Sequence, residues 1–155
     1  MQYLKDNKVQ HRDLKASNCL LEYESGQFRV KLTDFGLSKS KTLVTTFSGR
    51  SSGGGPSGTV THMAPEVMSK NVFTEKSDVY SFGIVIWEVL SRAVPFEGLQ
   101  QPQIFARVPK GERPSPIPEN SPSGLVTLME ACWASEPFVR PDFKRIVGKL
   151  RQLGQ

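Results

Sequence analysis

A run of apolar residues after Thr74 constrains the fold of this chain more than any other feature. Between Val79 and Leu90 the sequence leaves little polar face when it is drawn as a helix, and a helix that is hydrophobic on all sides lies inside a domain. The run is too short and too interrupted to span a bilayer. We therefore expect a domain built around one buried helix that begins near Thr74, with no membrane insertion in this segment.

Two later segments each show one apolar face at helical spacing. Their apolar residues are, in chain order, Leu125, Leu128, Met129 and Cys132, and then Phe143, Ile146, Val147 and Leu150. Each set predicts an amphipathic helix, and Ser121 or Ser123 and Pro141 mark the expected starts. The Pro-rich connection from Pro109 to Pro122 cannot continue a helix and is expected to cross the surface in extended form.

The first part of the chain indicates a short β-hairpin. Residues 19–21 and 28–32 have the composition of strands, and the second alternates apolar and basic side chains as in a half-buried strand. The polar residues 24–27 supply the turn. Residues 1–7 are typical of the last turns of a helix. We expect a mainly α domain with a small β-hairpin patch, in which the hairpin brings Asn18 and Asp34 close together.

Composition excludes several classes of protein. The chain has 155 residues, 37% of them hydrophobic and 23% charged, which suits a single globular core. Its net charge is +5 without a basic run interleaved with aromatics, so we do not expect nucleic-acid binding. Cys19 and Cys132 lie in apolar patterns and are expected to be small buried residues. These cysteines favour a reducing compartment, and since no signal peptide opens the chain we expect a cytoplasmic setting for this segment.

Three short polar motifs follow one another along the chain. They are His11-Arg12-Asp13-Leu14-Lys15-Ala16-Ser17-Asn18, Asp34-Phe35-Gly36 and Ala64-Pro65-Glu66. Transfer of a phosphoryl group needs a group that accepts the proton of the attacking hydroxyl, together with charges that neutralise the phosphates. Asp13 suits the first role and Lys15 the second, and Asn18 and Asp34 offer the oxygen ligands that Mg²⁺ prefers.

Residues 11–151 resemble the C-terminal lobe of a eukaryotic protein kinase, which carries these three motifs in this order. The resemblance implies transfer of the ATP γ-phosphate to a protein substrate, with Asp13 as catalytic base and Lys15 beside the γ-phosphate. It also implies that Asn18 and Asp34 bind Mg²⁺ or Mn²⁺.

The resemblance gives other residues structural roles. It implies that Asp78 holds the backbone of the loop around Asp13, and that Arg140 pairs with Glu66. His11 and Phe35 would belong to a stacked apolar column, so His11 is expected to pack rather than to act as a base, and Gly36 is structural as well.

Lys15 and Thr59 favour a serine or threonine hydroxyl as acceptor. In serine/threonine kinases the residue that Thr59 resembles contacts the catalytic Asp and Lys. The run from Ser77 to Gly83, with Trp87-Glu88 and Cys132-Trp133, resembles tyrosine kinases and their serine/threonine-directed relatives, the tyrosine-kinase-like group. His62 departs from the Tyr or Trp that is usual there, in the wall of the peptide-binding pocket, which bears on substrate preference.

Arg12 and Lys39 are expected to repel each other until a phosphate group pairs with both. The phosphate would be attached by an upstream kinase to one of five hydroxyls. These candidates are Thr45, Thr46, Ser48, Ser51 and Ser52. Residues 48–58 are rich in Gly and Ser and are expected to form a mobile loop that such a phosphate orders.

No Gly-rich phosphate loop, strand lysine or helix C glutamate precedes a catalytic loop that starts at His11. Residues 1–155 are therefore expected to be a partial kinase domain, from the end of helix E to the last helix, cut from a longer gene product and lacking the N-terminal lobe. The cut should expose apolar surface. The alternative is a non-catalytic lobe that binds substrates or partner kinases.

Overall fold

The computed structural model describes Met1 and residues 9–34, 39–40 and 59–154, and within these ranges it is mainly helical, as expected. The helices are α1 (Pro65–Lys70), α2 (Glu75–Ser91), α3 (Gln101–Arg107), α4 (Ser123–Cys132) and α5 (Phe143–Leu153). The strands are β1 (Val9–Gln10), β2 (Cys19–Glu24), β3 (Gln27–Leu32) and β4 (Lys39–Ser40). Short 3₁₀ turns lie at Ala16–Asn18, Val60–His62, Val108–Lys110 and Pro137–Val139.

Helix α2 is the buried axis that its apolar sequence predicts. Its start is fixed by a capping box, in which Thr74 Oγ1 accepts from the Lys76 N–H and Ser77 Oγ accepts from the Thr74 N–H. Most of the helix lies in the core, whereas Val89, near its end, is 67% exposed. The prediction of a buried helix starting near Thr74 is confirmed.

Helices α4 and α5 are confirmed with one corrected boundary. Helix α4 begins at Ser123, one of the two expected starts. Helix α5 begins at Phe143 and not at Pro141, because the Asp142 side chain accepts a hydrogen bond from the Arg145 N–H and caps the helix there. The end of α4 lies close against α2 at Gly83, where an added Cβ would lie 3.0 Å from the Trp133 backbone nitrogen.

The Pro-rich connection largely follows the prediction. A 3₁₀ turn at Val108–Lys110 includes Pro109, and irregular chain then runs to α4. Two short helices were not predicted: α1, which starts with Pro65 at its first turn, and α3, which is capped by Gln100 and Gln103.

The hairpin is present, but its burial differs from the expectation. Strands β2 and β3 pair antiparallel, with Leu21 opposite Val30 and Tyr23 opposite Phe28. Paired residues share one face of a hairpin, and these four apolar side chains are 61–72% exposed. The prediction that the second strand of the hairpin is half-buried is therefore wrong, because no described residue covers this face.

The start of the chain is described only in part. Within 1–7 only Met1 is among the described residues, so the predicted helix lies outside them. Strand β1 pairs with β4, which was not expected.

Cys132 is fully buried and Cys19 is half-buried, and both are free thiols. No helix in the described part of the chain has the length and apolarity needed to cross a membrane.

Candidate active site

The loop between β1 and β2 is held by a buried carboxylate near the start of α2. Asp78 Oδ2 accepts from the His11 N–H at 2.8 Å, and Oδ1 accepts from the Arg12 N–H at 2.9 Å. Arg12 has a φ of 68°, a conformation that non-glycine residues rarely adopt. Asp78 therefore fixes a strained turn immediately before Asp13. Burial raises the pKa of Asp78, although hydrogen bonds from the two N–H groups oppose this effect.

Asp13, Lys15 and Thr59 form one connected cluster. Lys15 Nζ lies 3.0 Å from Asp13 Oδ2 and donates to Thr59 Oγ1 at 2.7 Å. The Thr59 N–H donates to Asp13 Oδ1 at 3.0 Å, which closes the ring of contacts. The structure thus brings together the three residues that the resemblance places at the acceptor hydroxyl.

Asp13 is buried, yet it favours the ionised form. Burial raises the pKa of its carboxyl group, but hydrogen bonds from the Lys15 side chain and from Thr59 outweigh burial, so the pKa lies below its ordinary value. Both carboxylate oxygens therefore remain hydrogen-bond acceptors at neutral pH.

Asn18 lies at the end of the same loop and faces the end of β3. Its Nδ2 donates to the Asp13 carbonyl at 2.8 Å and to Asp13 Oδ2 at 3.3 Å. The Asn18 carbonyl accepts from the Thr33 N–H at 2.9 Å, so the hairpin brings Asn18 next to the residue that precedes Asp34. Asp34 is exposed and has a φ of 60°.

His11 packs against the end of the hairpin. Its side chain is fully buried, and its Nε2 lies 3.0 Å from the Thr33 carbonyl. It therefore joins the loop that carries Asp13 to the segment that leads into Asp34.

Glu88 of α2 joins the loop between β1 and β2 to the segment after Thr59. Its Oε2 accepts from the Ala16 N–H at 3.1 Å and lies 2.9 Å from His62 Nε2. His62 is almost fully buried, and its carbonyl accepts from Ser81 Oγ at 2.8 Å. The sequence singled out His62 as a departure but did not predict its partner; the only signal was that Glu88 is the one charged residue between Val79 and Leu90.

Glu66 and Arg140 form a buried bidentate ion pair. The two Nη–Oε distances are 2.8 and 2.9 Å, and Ser77 Oγ donates to Glu66 as well. The remaining N–H groups of Arg140 donate to the carbonyls of Lys76, Ala134 and Ser135. All five donors of this guanidinium are satisfied, so the pair ties α1 to the start of α2 and to the segment before α5.

Arg12 contacts strand β1 and the segment before α2. Its guanidinium donates to Gln10 Oε1 and lies over the Phe73 ring at 5.0 Å. Burial lowers its pKa, and the charge of Asp78 opposes that effect.

Several predicted residues fall outside the described part of the chain. They are Phe35, Gly36, Thr45, Thr46, Ser48, Ser51 and Ser52, together with the side chain of Lys39. The expected loop at 48–58 lies outside it as well. The pairing of Arg12 with Lys39 through a phosphate therefore stays a prediction.

Comparison with known proteins gives one consistent result. Residues 1–150 match a family model described as protein tyrosine and serine/threonine kinase. The chain is 42% identical over 153 residues to the serine/threonine/tyrosine-protein kinase HT1 of Arabidopsis thaliana, covering 98% of this chain and 37% of that protein. It is 46% identical over 142 residues to the dual specificity protein kinase shkC of Dictyostelium discoideum, covering 90% and 27%.

A third relative is the mitogen-activated protein kinase kinase kinase dlk-1 of Caenorhabditis elegans, 39% identical over 150 residues, with 94% and 15% covered. The chain thus spans between 15% and 37% of the length of these three relatives.

Proposed function

Because the chain belongs to the protein tyrosine and serine/threonine kinase family, we propose that it supplies the catalytic loop for transfer of the ATP γ-phosphate to a serine or threonine hydroxyl of a protein. The observation that carries this proposal is the cluster of Asp13, Lys15 and Thr59. It combines an ionised carboxylate, a lysine and a loop hydroxyl within hydrogen-bonding distance. A dedicated scaffold has no chemical need for this arrangement together with Asn18 and Asp34.

In the proposed reaction Asp13 accepts the proton of the substrate hydroxyl as the oxygen attacks the γ-phosphorus. The bond between that phosphorus and the oxygen bridging it to ADP breaks, so ADP leaves with the electron pair. Lys15 places a positive charge beside the transferring group. The lowered pKa of Asp13 keeps it in the basic form before the reaction.

Asn18 and Asp34 would hold the Mg²⁺ or Mn²⁺ that accompanies ATP. Since Asn18 Nδ2 is used by Asp13, its Oδ1 is the atom left to bind a cation. Mg²⁺ takes few protein ligands and uses phosphate oxygens for others, so two side chains are enough for such a site. Such an ion neutralises charge on the phosphates.

The choice of a serine or threonine acceptor rests on Lys15 and its 2.7 Å contact with Thr59. One similar protein is named as a serine/threonine/tyrosine kinase and another as a dual specificity kinase. Phosphotyrosine is therefore an outcome that the experiment must be able to detect.

The reaction also needs the Gly-rich loop, strand lysine and helix C of the family. We propose that residues 1–155 form the C-terminal part of the domain and act together with those segments. An upstream kinase would regulate the reaction by phosphorylating one of the five hydroxyls in 45–52, whose phosphate would pair with Arg12 and Lys39.

The test compares two Asp-to-Asn variants of the protein purified from its source cells. The rate of phosphate transfer from ATP to myelin basic protein should fall by about 100-fold or more in Asp13→Asn, since a general base raises the rate by a factor of about 10²–10⁴. Asp142→Asn makes the same chemical change at the cap of α5, where Asn caps as well as Asp, and should leave transfer unchanged.

Phosphoamino acid analysis of the product should find phosphoserine or phosphothreonine. Full transfer by Asp13→Asn would contradict the proposed base. A native mass near 17.2 kDa, without ATP-dependent transfer, would favour the alternative of a binding lobe.

A further inference from the structure

A groove of about 430 Å³ runs between α4 and α5, on a face of the molecule separate from Asp13. The side chains that define it are Leu128, Ala131, Val139, Arg145, Lys149 and Leu153. Leu128 is 6% exposed and lies at the floor, whereas Val139 and Leu153 are 56% and 46% exposed. The groove therefore offers an apolar lining that a partner can contact.

The charged side chains that line the groove have one sign. Arg145 and Lys149 are exposed and line it, and none of its lining residues is acidic. Helix α5 also carries Lys144 and Arg151 and contains no acidic residue. An apolar floor beneath a basic wall complements a segment with one apolar face flanked by acidic side chains.

The shape of the groove favours a helix as its occupant. Helix α4 has 10 residues and α5 has 11, so at about 1.5 Å per residue the groove walls are roughly 15 Å long. Three turns of an amphipathic helix match this length and present apolar residues at i, i+3, i+4 and i+7.

We propose that the groove between α4 and α5 is a docking site for an acidic amphipathic helix of a partner protein. A second copy of the chain would bring the same basic wall against Arg145 and Lys149. An anionic membrane accepts a helix whose apolar face projects outward, whereas here Leu128 lies at the bottom of a concavity. None of the residues in the catalytic cluster lines the groove, so docking and phosphate transfer use different surfaces.

The test measures fluorescence anisotropy of a fluorescein-labelled 12-residue peptide titrated with the full chain. The peptide carries Leu at i, i+3, i+4 and i+7 and Glu at the other positions, and the control peptide replaces each Glu with Gln. The double variant Arg145→Glu with Lys149→Glu should weaken binding of the acidic peptide by about tenfold or more. Lys70→Glu with Lys110→Glu makes the same charge change at exposed sites outside the groove and should change affinity by less than about twofold.

Hydrogen exchange of the unmodified chain provides a test that needs no variant. The acidic peptide should slow exchange of amides in α4 and α5. Equal binding of the Gln peptide, equal loss in both double variants, or protection confined to other elements would overturn the proposal. Binding to vesicles containing phosphatidylserine in the absence of peptide binding would overturn it in favour of a membrane surface.

Discussion

At the scale of single residues, the structure shows that Glu88 connects two loops, a role that the sequence did not predict. One carboxylate oxygen contacts both the Ala16 N–H and His62 Nε2. Both of these groups belong to loops that carry the proposed catalytic and substrate residues. Without Glu88 each would lose a hydrogen-bond partner in a largely buried place, and hydrogen bonds to charged groups contribute about 1.5–3 kcal/mol.

We therefore expect Glu88→Ala to lower kcat/KM by roughly 10- to 100-fold, since about 1.4 kcal/mol corresponds to tenfold. Glu88→Gln should recover most of the loss, because its amide oxygen can take the place of the one carboxylate oxygen that contacts both groups. Glu130→Ala, an exposed glutamate of α4, is the control and should leave kcat/KM unchanged. Full activity in Glu88→Ala would show that these contacts do not position the loops.

The ionisation of Asp13 gives a second prediction at this scale. Its pKa is raised by burial and lowered more strongly by Lys15 and Thr59. Lys15→Met removes a hydrogen bond that lowers the pKa of Asp13 and keeps the burial that raises it, so this pKa should rise. Carboxyl ¹³C NMR titration should show the midpoint moving to higher pH, whereas Lys31→Met, at an exposed lysine of the hairpin, should not move it. An unchanged midpoint in Lys15→Met would mean that Lys15 does not hold the carboxylate in its ionised form.

At the scale of elements, Arg140 joins two helices and the segment before α5. It reaches α1 through Glu66, the start of α2 through Lys76 and the segment at 134–135 through two carbonyls. Removing one partner of a buried ion pair costs about 3–5 kcal/mol, because the other charge remains buried.

Arg140→Met should thus lower the free energy of unfolding by about 3–5 kcal/mol in urea titrations. Arg107→Met breaks the exposed Arg107–Glu112 pair, which has an Nη1–Oε1 distance of 3.2 Å, and should change stability by about 1 kcal/mol or less. Similar losses in both variants would argue against the buried pair as the joint between these elements.

The elements also show what the sequence could predict. The long apolar run located α2, and apolar positions that repeat over several turns located α4 and α5, whereas α1 and α3 are too short for either signal. Periodicity placed the apolar side chains of the hairpin on one face but could not say what lies over that face. The proposed catalytic cluster was inferred from a family resemblance, while the contact between His62 and Glu88 joins a loop to a helix and has no local signature.

At the scale of the whole molecule, burial is distributed unevenly. Val79 and Ile84 of α2 are 1% and 0% exposed, and they belong to one core with α4 and α5. The hairpin instead has an apolar face that no described residue covers, and an isolated two-stranded hairpin is marginally stable. The proposed catalytic loop connects β1 to this hairpin, so one of its ends is anchored by α2 and the other continues into a hairpin whose side chains are mostly exposed.

A matched pair of Val-to-Thr variants tests this distribution. Val79→Thr places a hydroxyl in the core of α2 and should destabilise the fold by about 1–3 kcal/mol, because a buried hydroxyl without a partner loses its hydration. Val30→Thr makes the same change at a side chain that is 61% exposed, and its effect should stay within about 0.5 kcal/mol. Urea unfolding measures both free energies, and native-state hydrogen exchange should show faster exchange in β2 and β3 than in α2. If Val30→Thr destabilises the chain as much as Val79→Thr does, the apolar face of the hairpin is buried in solution, and repeating the titrations over a range of protein concentrations would show whether self-association buries it.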